Sequence, residues 1–90
     1  MAVYLESILR RPRVEGASGY ARSTLYERIS QGLWTRPVRL GPRAVGWPAS
    51  EVAALNAARI ASKSDDEIRR LVTQLHIARN AALADLRQRP

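Results

Sequence analysis

The sequence predicts a mainly α-helical protein with a small β-hairpin wing, a winged helix-turn-helix followed by one C-terminal helix. Three observations carry this. Two short helical segments flank a glycine-containing turn at 19–21, the outline of a helix-turn-helix. An alternating segment at 38–47 reverses about Gly41-Pro42-Arg43-Ala44, as a hairpin does. After Ser64, apolar residues recur at 68, 71, 75, 78 and 82, the 3-4 spacing of a helical seam.

Residues 4–9 (Tyr-Leu-Glu-Ser-Ile-Leu) are apolar and partly alternating, which suits a short strand or an extended lead-in. Pro12 opens a first helix over about 12–18, because the first helical position has no N–H to lose. Val14 and Ala17 supply its inner face, and Gly19 ends it in a left-handed conformation. The second helix runs from Arg22 to Gln31, with Leu25 and Ile29 as an inward i, i+4 pair and Gly32 as its stop.

In the hairpin, Val38 and Leu40 share one face with Arg39 opposite, Val45 and Trp47 share a face on the return strand, and Pro37 restricts the first strand to an edge. Pro48 opens a third helix with Glu51 in its first turn, where the macrodipole favours an acid. Val52, Leu55 and Ile60 form its packing face. Ser64-Asp65-Asp66-Glu67 then reads as a capping box for a helix of about 22 residues, about 33 Å long. The division expected is a winged helix-turn-helix over 1–62 and a packing or self-association helix over 63–90.

Charge points to a partner. The chain of 90 residues carries a formal net charge of +7, and fourteen of its fifteen basic residues are arginine. Between residues 10 and 43 there are eight arginines and two glutamates. A guanidinium pairs bidentately with phosphate or guanine, so this concentration indicates a polyanion bound by the first half. Other chemistries lack their residues. With no cysteine there is no disulfide or thiolate, and the single His76 supplies neither a metal cluster nor a catalytic pair. No cofactor, metal site or enzymatic constellation is expected. No apolar run approaches the 18–20 or so residues of a membrane span and no secretory leader is recognisable, which predicts a cytoplasmic protein.

Val14, Gly19-Tyr20-Ala21-Arg22-Ser23-Thr24-Leu25-Tyr26, Gly32, the run Pro37-Val38-Arg39-Leu40-Gly41-Pro42-Arg43-Ala44-Val45-Gly46-Trp47, and Ser50-Glu51-Val52 together resemble the AlpA family. These are small winged-helix DNA-binding proteins of prophages and integrative elements, related to excisionases and to the MerR-type wing. The resemblance covers about residues 8–60. It implies a DNA-binding protein of the bacterial nucleoid that works as a recombination directionality factor (excisionase), as a transcriptional regulator, or as both. A directionality factor binds and bends attachment-site DNA so that a tyrosine integrase runs excision. The sequence departs from the family at Ala21, which removes the usual N-cap oxygen, at Glu27, where a basic residue is common, and at Leu55, which replaces a frequent aromatic.

Placed on that framework, the second helix lies in the major groove and the wing in the adjacent minor groove. Arg22 is positioned for guanine O6/N7, and Ser23 and Thr24 for phosphates. Tyr26 packs on sugar or bonds a phosphate, with Arg28 flanking. Glu27 accepts from a cytosine amino group, orients Arg22 or Arg28, or forms an ordinary surface helix pair. Arg39 on the strand and Arg43 beside Gly41 at the tip address the minor groove. Arg11, Arg13 and Arg36, with Arg10, reach flanking phosphates. The plain alternative throughout is a solvated polar surface. Trp34, Trp47 and Val38 are expected in the core and His76 facing solvent without a chemical role.

Three arrangements suit the seam of Ile68, Leu71 and Leu75. It folds back as core, which the short linker favours, or pairs with a neighbouring copy or another protein, or orders only when bound. Cooperative self-association on DNA would compensate for the small footprint of one module, about 600–1,000 Å². A different class of function is a protein-interaction adaptor acting through the C-terminal helix.

Overall fold

A computed structural model describes residues 5–87. The elements in chain order are β1 (Ile8–Arg10), α1 (Arg11–Ser18), α2 (Arg22–Ser30), β2 (Val38–Gly41), β3 (Ala44–Pro48), α3 (Ala49–Ile60) and α4 (Asp65–Arg87). This is the winged helix-turn-helix order with its C-terminal helix. Tyr4, the first residue of the stretch predicted as strand or lead-in, lies outside the described residues.

The turn between α1 and α2 follows from local chemistry. Gly19 adopts φ 77° and donates its N–H to Glu15 O, closing α1. Ser18, buried beneath it, accepts the Tyr20 N–H on its hydroxyl. It is Ser18, with Val14, that forms the inner face of α1, while Ala17 is exposed. Helix α2 starts at Ala21 without a side-chain cap, as the missing hydroxyl predicts. It ends in a Schellman motif: Gly32 at φ 76° donates to Ile29 O and Leu33 to Arg28 O.

The hairpin is part of a three-stranded antiparallel sheet of order β1-β3-β2, so Ile8–Arg10 is a true strand and β3 is central. Leu9 pairs with Trp47, and Arg39 with Val45, across a register irregularity between Arg39 and Gly41. Directly paired residues share a face. The inner face therefore holds Leu9, Val45 and Trp47 together with Arg39, and the outer face holds Ile8, Val38 and Leu40. This reverses the expected sidedness: Val38 is only half-buried and Leu40 is 43% exposed. The fully buried Trp47 ring decides which face is inner, and Arg39 shares that face beyond the core's edge. Gly46 is where the outer side chains converge. A Cβ there would lie 2.5 Å from Ile8 Cγ2 and 3.1 Å from Leu40 Cδ1.

Pro48 is the last residue of β3 and the N-cap of α3, rather than its first helical residue. The cap comes instead from Glu6, whose carboxylate accepts the Ser50 N–H at 3.0 Å and the Ser50 hydroxyl. Val52 and Leu55 are buried as expected, but Ile60 is 85% exposed. The stripe continues one residue earlier, through Arg59, which donates to Ser18 O at 2.7 Å and lies 4.1 Å over the Tyr20 ring. One residue is 100° of helix, enough to turn Ile60 into solvent.

Helix α3 also closes with a Schellman pattern, but its left-handed residue is Ser62 at φ 58°. A Cβ is disfavoured in that region. Ser62→Gly is expected to stabilise the fold by about 1 kcal/mol, read as a higher urea midpoint at unchanged m-value. At the start of α4, Ser64 accepts the Glu67 N–H and donates its hydroxyl to the Glu67 carboxylate. The Ser64 hydroxyl foremost, then the Ser64 backbone N–H, hold the Glu67 carboxyl below its ordinary range.

The first half of α4 folds back as core. Ile68 and Val72 are buried with Val14, Leu25, Leu33, Trp34, Trp47, Val52 and Leu55, and Leu71 and Leu75 pack against that cluster. The contacting stripe is thus centred on 68, 72, 75 and 79, slightly rotated from the 68-71-75-78 line. Past Arg79 the same stripe continues through Ala82, Leu83 and Leu86, which are exposed. Among the described residues no helix is long and apolar enough to cross a membrane.

Candidate nucleic-acid interface

Helix α2 is held from both flanks by aromatic contacts. On one side the Tyr26 ring meets Trp47 edge-on, with centroids 6.4 Å apart. Trp47 is fixed in turn by donating Nε1–H to Thr35 O at 2.8 Å. On the other side Tyr20 packs edge-on against Trp34 at 5.9 Å, and the Arg28 guanidinium lies 5.7 Å from the Tyr20 ring centroid. The orientation of the helix is therefore tied to the central strand of the wing and to the turn that precedes it.

These two flanks sort the predicted site residues. Arg22, Ser23 and Tyr26 line one shallow notch at the N-terminal end of α2, on the Tyr26 flank that meets Trp47. Arg22 and Ser23 are exposed and Tyr26 is 38% exposed. Thr24 and Arg28 are half-buried on the Tyr20 side. Arg28 donates to Gln31 Oε1, and Gln31 donates to Glu27 Oε1, so the Gln31 amide couples Glu27 to Arg28. Arg28 Nε is shielded from solvent without a partner, which marks this guanidinium as part of the packing around Tyr20.

In the wing, Arg43 is exposed in the turn after the half-buried Gly41. Arg39 shares the inner face that carries Trp47, and Trp47 touches Tyr26. The wing strand and α2 thus meet on one side of the sheet. Of the flanking arginines, Arg11 pairs with Glu15 at 3.0 Å, while Arg13 is exposed. Arg36 is held by its backbone, its N–H donating to His76 Nε2 at 3.1 Å and its carbonyl accepting from Arg79 at 2.7 Å. The heads of Arg10, Arg13, Arg22, Arg39 and Arg43 make no hydrogen bond or ion pair with any other described residue.

Ile68, Leu71 and Leu75 belong to the core rather than to this surface. The helix that carries them braces it from behind. Arg69 donates Nε–H to Gln31 O at 3.0 Å, placing a cation at the C-terminal end of α2, where the macrodipole favours one. Arg79 grips Glu51 through two bonds of 2.6 and 2.7 Å, and Glu51 is 4% exposed. The macrodipole argument for Glu51 therefore gave only part of its role, because its partner lies 28 residues away. Among the described residues no cluster of three or more metal-ligating side chains occurs.

His76 was expected to face solvent with no role. It is half-buried, and it accepts a backbone bond that only the neutral ring can accept. Burial, then the neighbouring Arg36 and Arg79, lower its pKa below the ordinary 6.5, and Glu51 opposes them weakly. An unfolded ring protonates near pH 6.5 and the folded ring only below it, so this contribution is complete above pH 6.5 and is lost as pH falls toward the folded value. The thermal midpoint of the native chain is expected to fall between pH 7 and pH 5 more steeply than that of His76→Gln. Parallel pH curves for the two proteins would contradict it.

Comparison with known proteins gives the family. The family described as "Prophage CP4-57 regulatory protein (AlpA)" matches residues 7–59, which span β1 through nearly all of α3. A protein of Enterobacteria phage P4, "Uncharacterized protein ORF88", is 45% identical over 58 residues. That segment is 64% of this chain and 66% of the phage protein. No solved structure matches the chain.

Proposed function

The chain belongs to the AlpA family of prophage regulatory proteins, and on that premise we propose that it binds duplex DNA with sequence preference as a recombination directionality factor. Recognition helix α2 enters the major groove and the wing the adjacent minor groove. The protein bends attachment-site DNA and thereby promotes excision of a mobile element by a tyrosine integrase. The observation that carries this reading is the set of arginines on β1, α1, the start of α2 and the wing whose heads engage no other described residue. By contrast Arg59, Arg69 and Arg79, behind the helix, are consumed by internal bonds.

Arg22 reads a base edge, Ser23 and Thr24 bond phosphates, and Arg39 and Arg43 track the minor groove. Arg11, Arg13 and Arg36 add flanking phosphate contacts. Several copies side by side supply affinity that one module lacks. Transcriptional control of element genes is the second reading, favoured by the word "regulatory" in the family's description. Both roles use the same DNA contacts.

Neutralising about five phosphates predicts a log–log salt slope near −4 to −5. Arg22→Ala is expected to relax base preference by about 1–3 kcal/mol of discrimination at one position. Arg43→Ala instead weakens binding on most sequences. Salt-insensitive or absent binding would defeat the DNA reading. An excision assay with the cognate integrase and paired attachment sites, with and without this chain, then separates the roles. Stimulated excision establishes the directionality factor, and unchanged excision with altered promoter output establishes the regulator.

A further inference from the structure

We propose that the notch formed by Arg22, Ser23 and Tyr26 reads the C5-methyl group of a pyrimidine adjacent to a guanine. This rests on the DNA-binding reading and gives its recognition helix a chemical preference. The notch is open, about 340 Å³ in volume, and its wall is mostly carbon. The aromatic part of the wall is also held in place. Tyr26 rests edge-on against Trp47, and Trp47 is locked by its bond to Thr35 O.

The major-groove edges of the bases carry many donors and acceptors but one apolar group, the methyl of thymine. A carbon-walled notch at the helix end that meets base edges accepts that group, and unmethylated cytosine brings no methyl to fill it. Arg22 belongs to the same notch, and its head has no partner within the described residues. An arginine rooted in the notch is long enough to reach the neighbouring base pair. Guanine O6 and N7 are the bidentate acceptors that match it there. The methyl and the guanine are therefore read together, at adjacent pairs. The same methyl occurs on 5-methylcytosine, so the recognised group is shared by two bases.

The test uses the full chain. A preferred duplex is selected from a random library, and each thymine in it is replaced singly by deoxyuridine, which removes only the methyl. One position is expected to lose about fourfold in affinity, the equivalent of one buried carbon. Replacing the adjacent guanine by 7-deazaguanine weakens the native chain and leaves Arg22→Ala unaffected. Tyr26→Phe keeps the deoxyuridine effect, because it keeps the ring. Cytosine and 5-methylcytosine at the methyl position distinguish the sources: restoration by 5-methylcytosine assigns the notch to either base, and no restoration confines it to thymine. Selective binding with no deoxyuridine-sensitive position overturns the inference and leaves the DNA-binding reading standing. Absence of any duplex binding overturns both.

Discussion

Removing residues 64–90 abolishes cooperative unfolding of what remains. Ile68 and Val72 are buried in the same cluster as Trp34, Val52 and Leu55, and Leu71 and Leu75 cover its edge. Burying one such aliphatic side chain is worth about 1.5–3 kcal/mol. The deletion also strips Glu51 of Arg79, Arg36 of His76 and the end of α2 of Arg69. A small domain has only about 5–15 kcal/mol of stability, so the combined loss consumes all or most of it. Circular dichroism of the 1–63 fragment is expected to show a broad, non-cooperative melt, and its amide proton spectrum to lose dispersion. A sharp melt near that of the full chain would show that α4 is an appendage and that residues 1–63 fold alone.

Arg79→Ala has the next largest effect, a loss of about 3 kcal/mol read as a lower urea midpoint. The Glu51 carboxylate is almost wholly enclosed, and both of its oxygens depend on one guanidinium. Breaking such a pair by removing one partner costs about 3–5 kcal/mol, mostly because the other charge stays buried. Arg79 keeps about a quarter of its side chain in water, which places the effect toward the lower end. Since the penalty belongs to the orphaned acid, Glu51→Met/Arg79→Met is expected to recover most of the loss. If the double variant were as unstable as Arg79→Ala, the bond from Arg79 to Arg36 O would be the dominant contribution instead.

What was readable in the sequence follows the range of the interactions. Gly19, Gly32 and the Ser64–Glu67 box mark helix ends through bonds that span five residues or fewer, and each end falls where those residues predict. The Glu6 cap on α3, the His76–Arg36 bond and the Glu51–Arg79 pair join residues 28 to 44 positions apart, and no local pattern announces them. Faces were legible where periodicity was clean, as for Leu25 in α2. They were misjudged where the chain departs from it: at the irregularity after Arg39, and at Ile60, where an arginine lying over Tyr20 takes the place of the aliphatic residue. The grouping of Arg22, Ser23 and Tyr26 needs only helical geometry. The withdrawal of Arg28 depends on Tyr20, a residue in the preceding turn whose ring direction only the fold supplies.

The arginines divide into two populations with different evolutionary freedom. Arg59, Arg69 and Arg79 hold the fold, so each is constrained by stability whatever DNA the protein meets. Arg22, Arg39 and Arg43 hold no other described residue through a hydrogen bond or ion pair. Exchanging them leaves the scaffold's folding free energy nearly untouched, within about 0.5 kcal/mol. On the proposed DNA-binding reading, target preference can thus change at these three positions without any prior gain in stability.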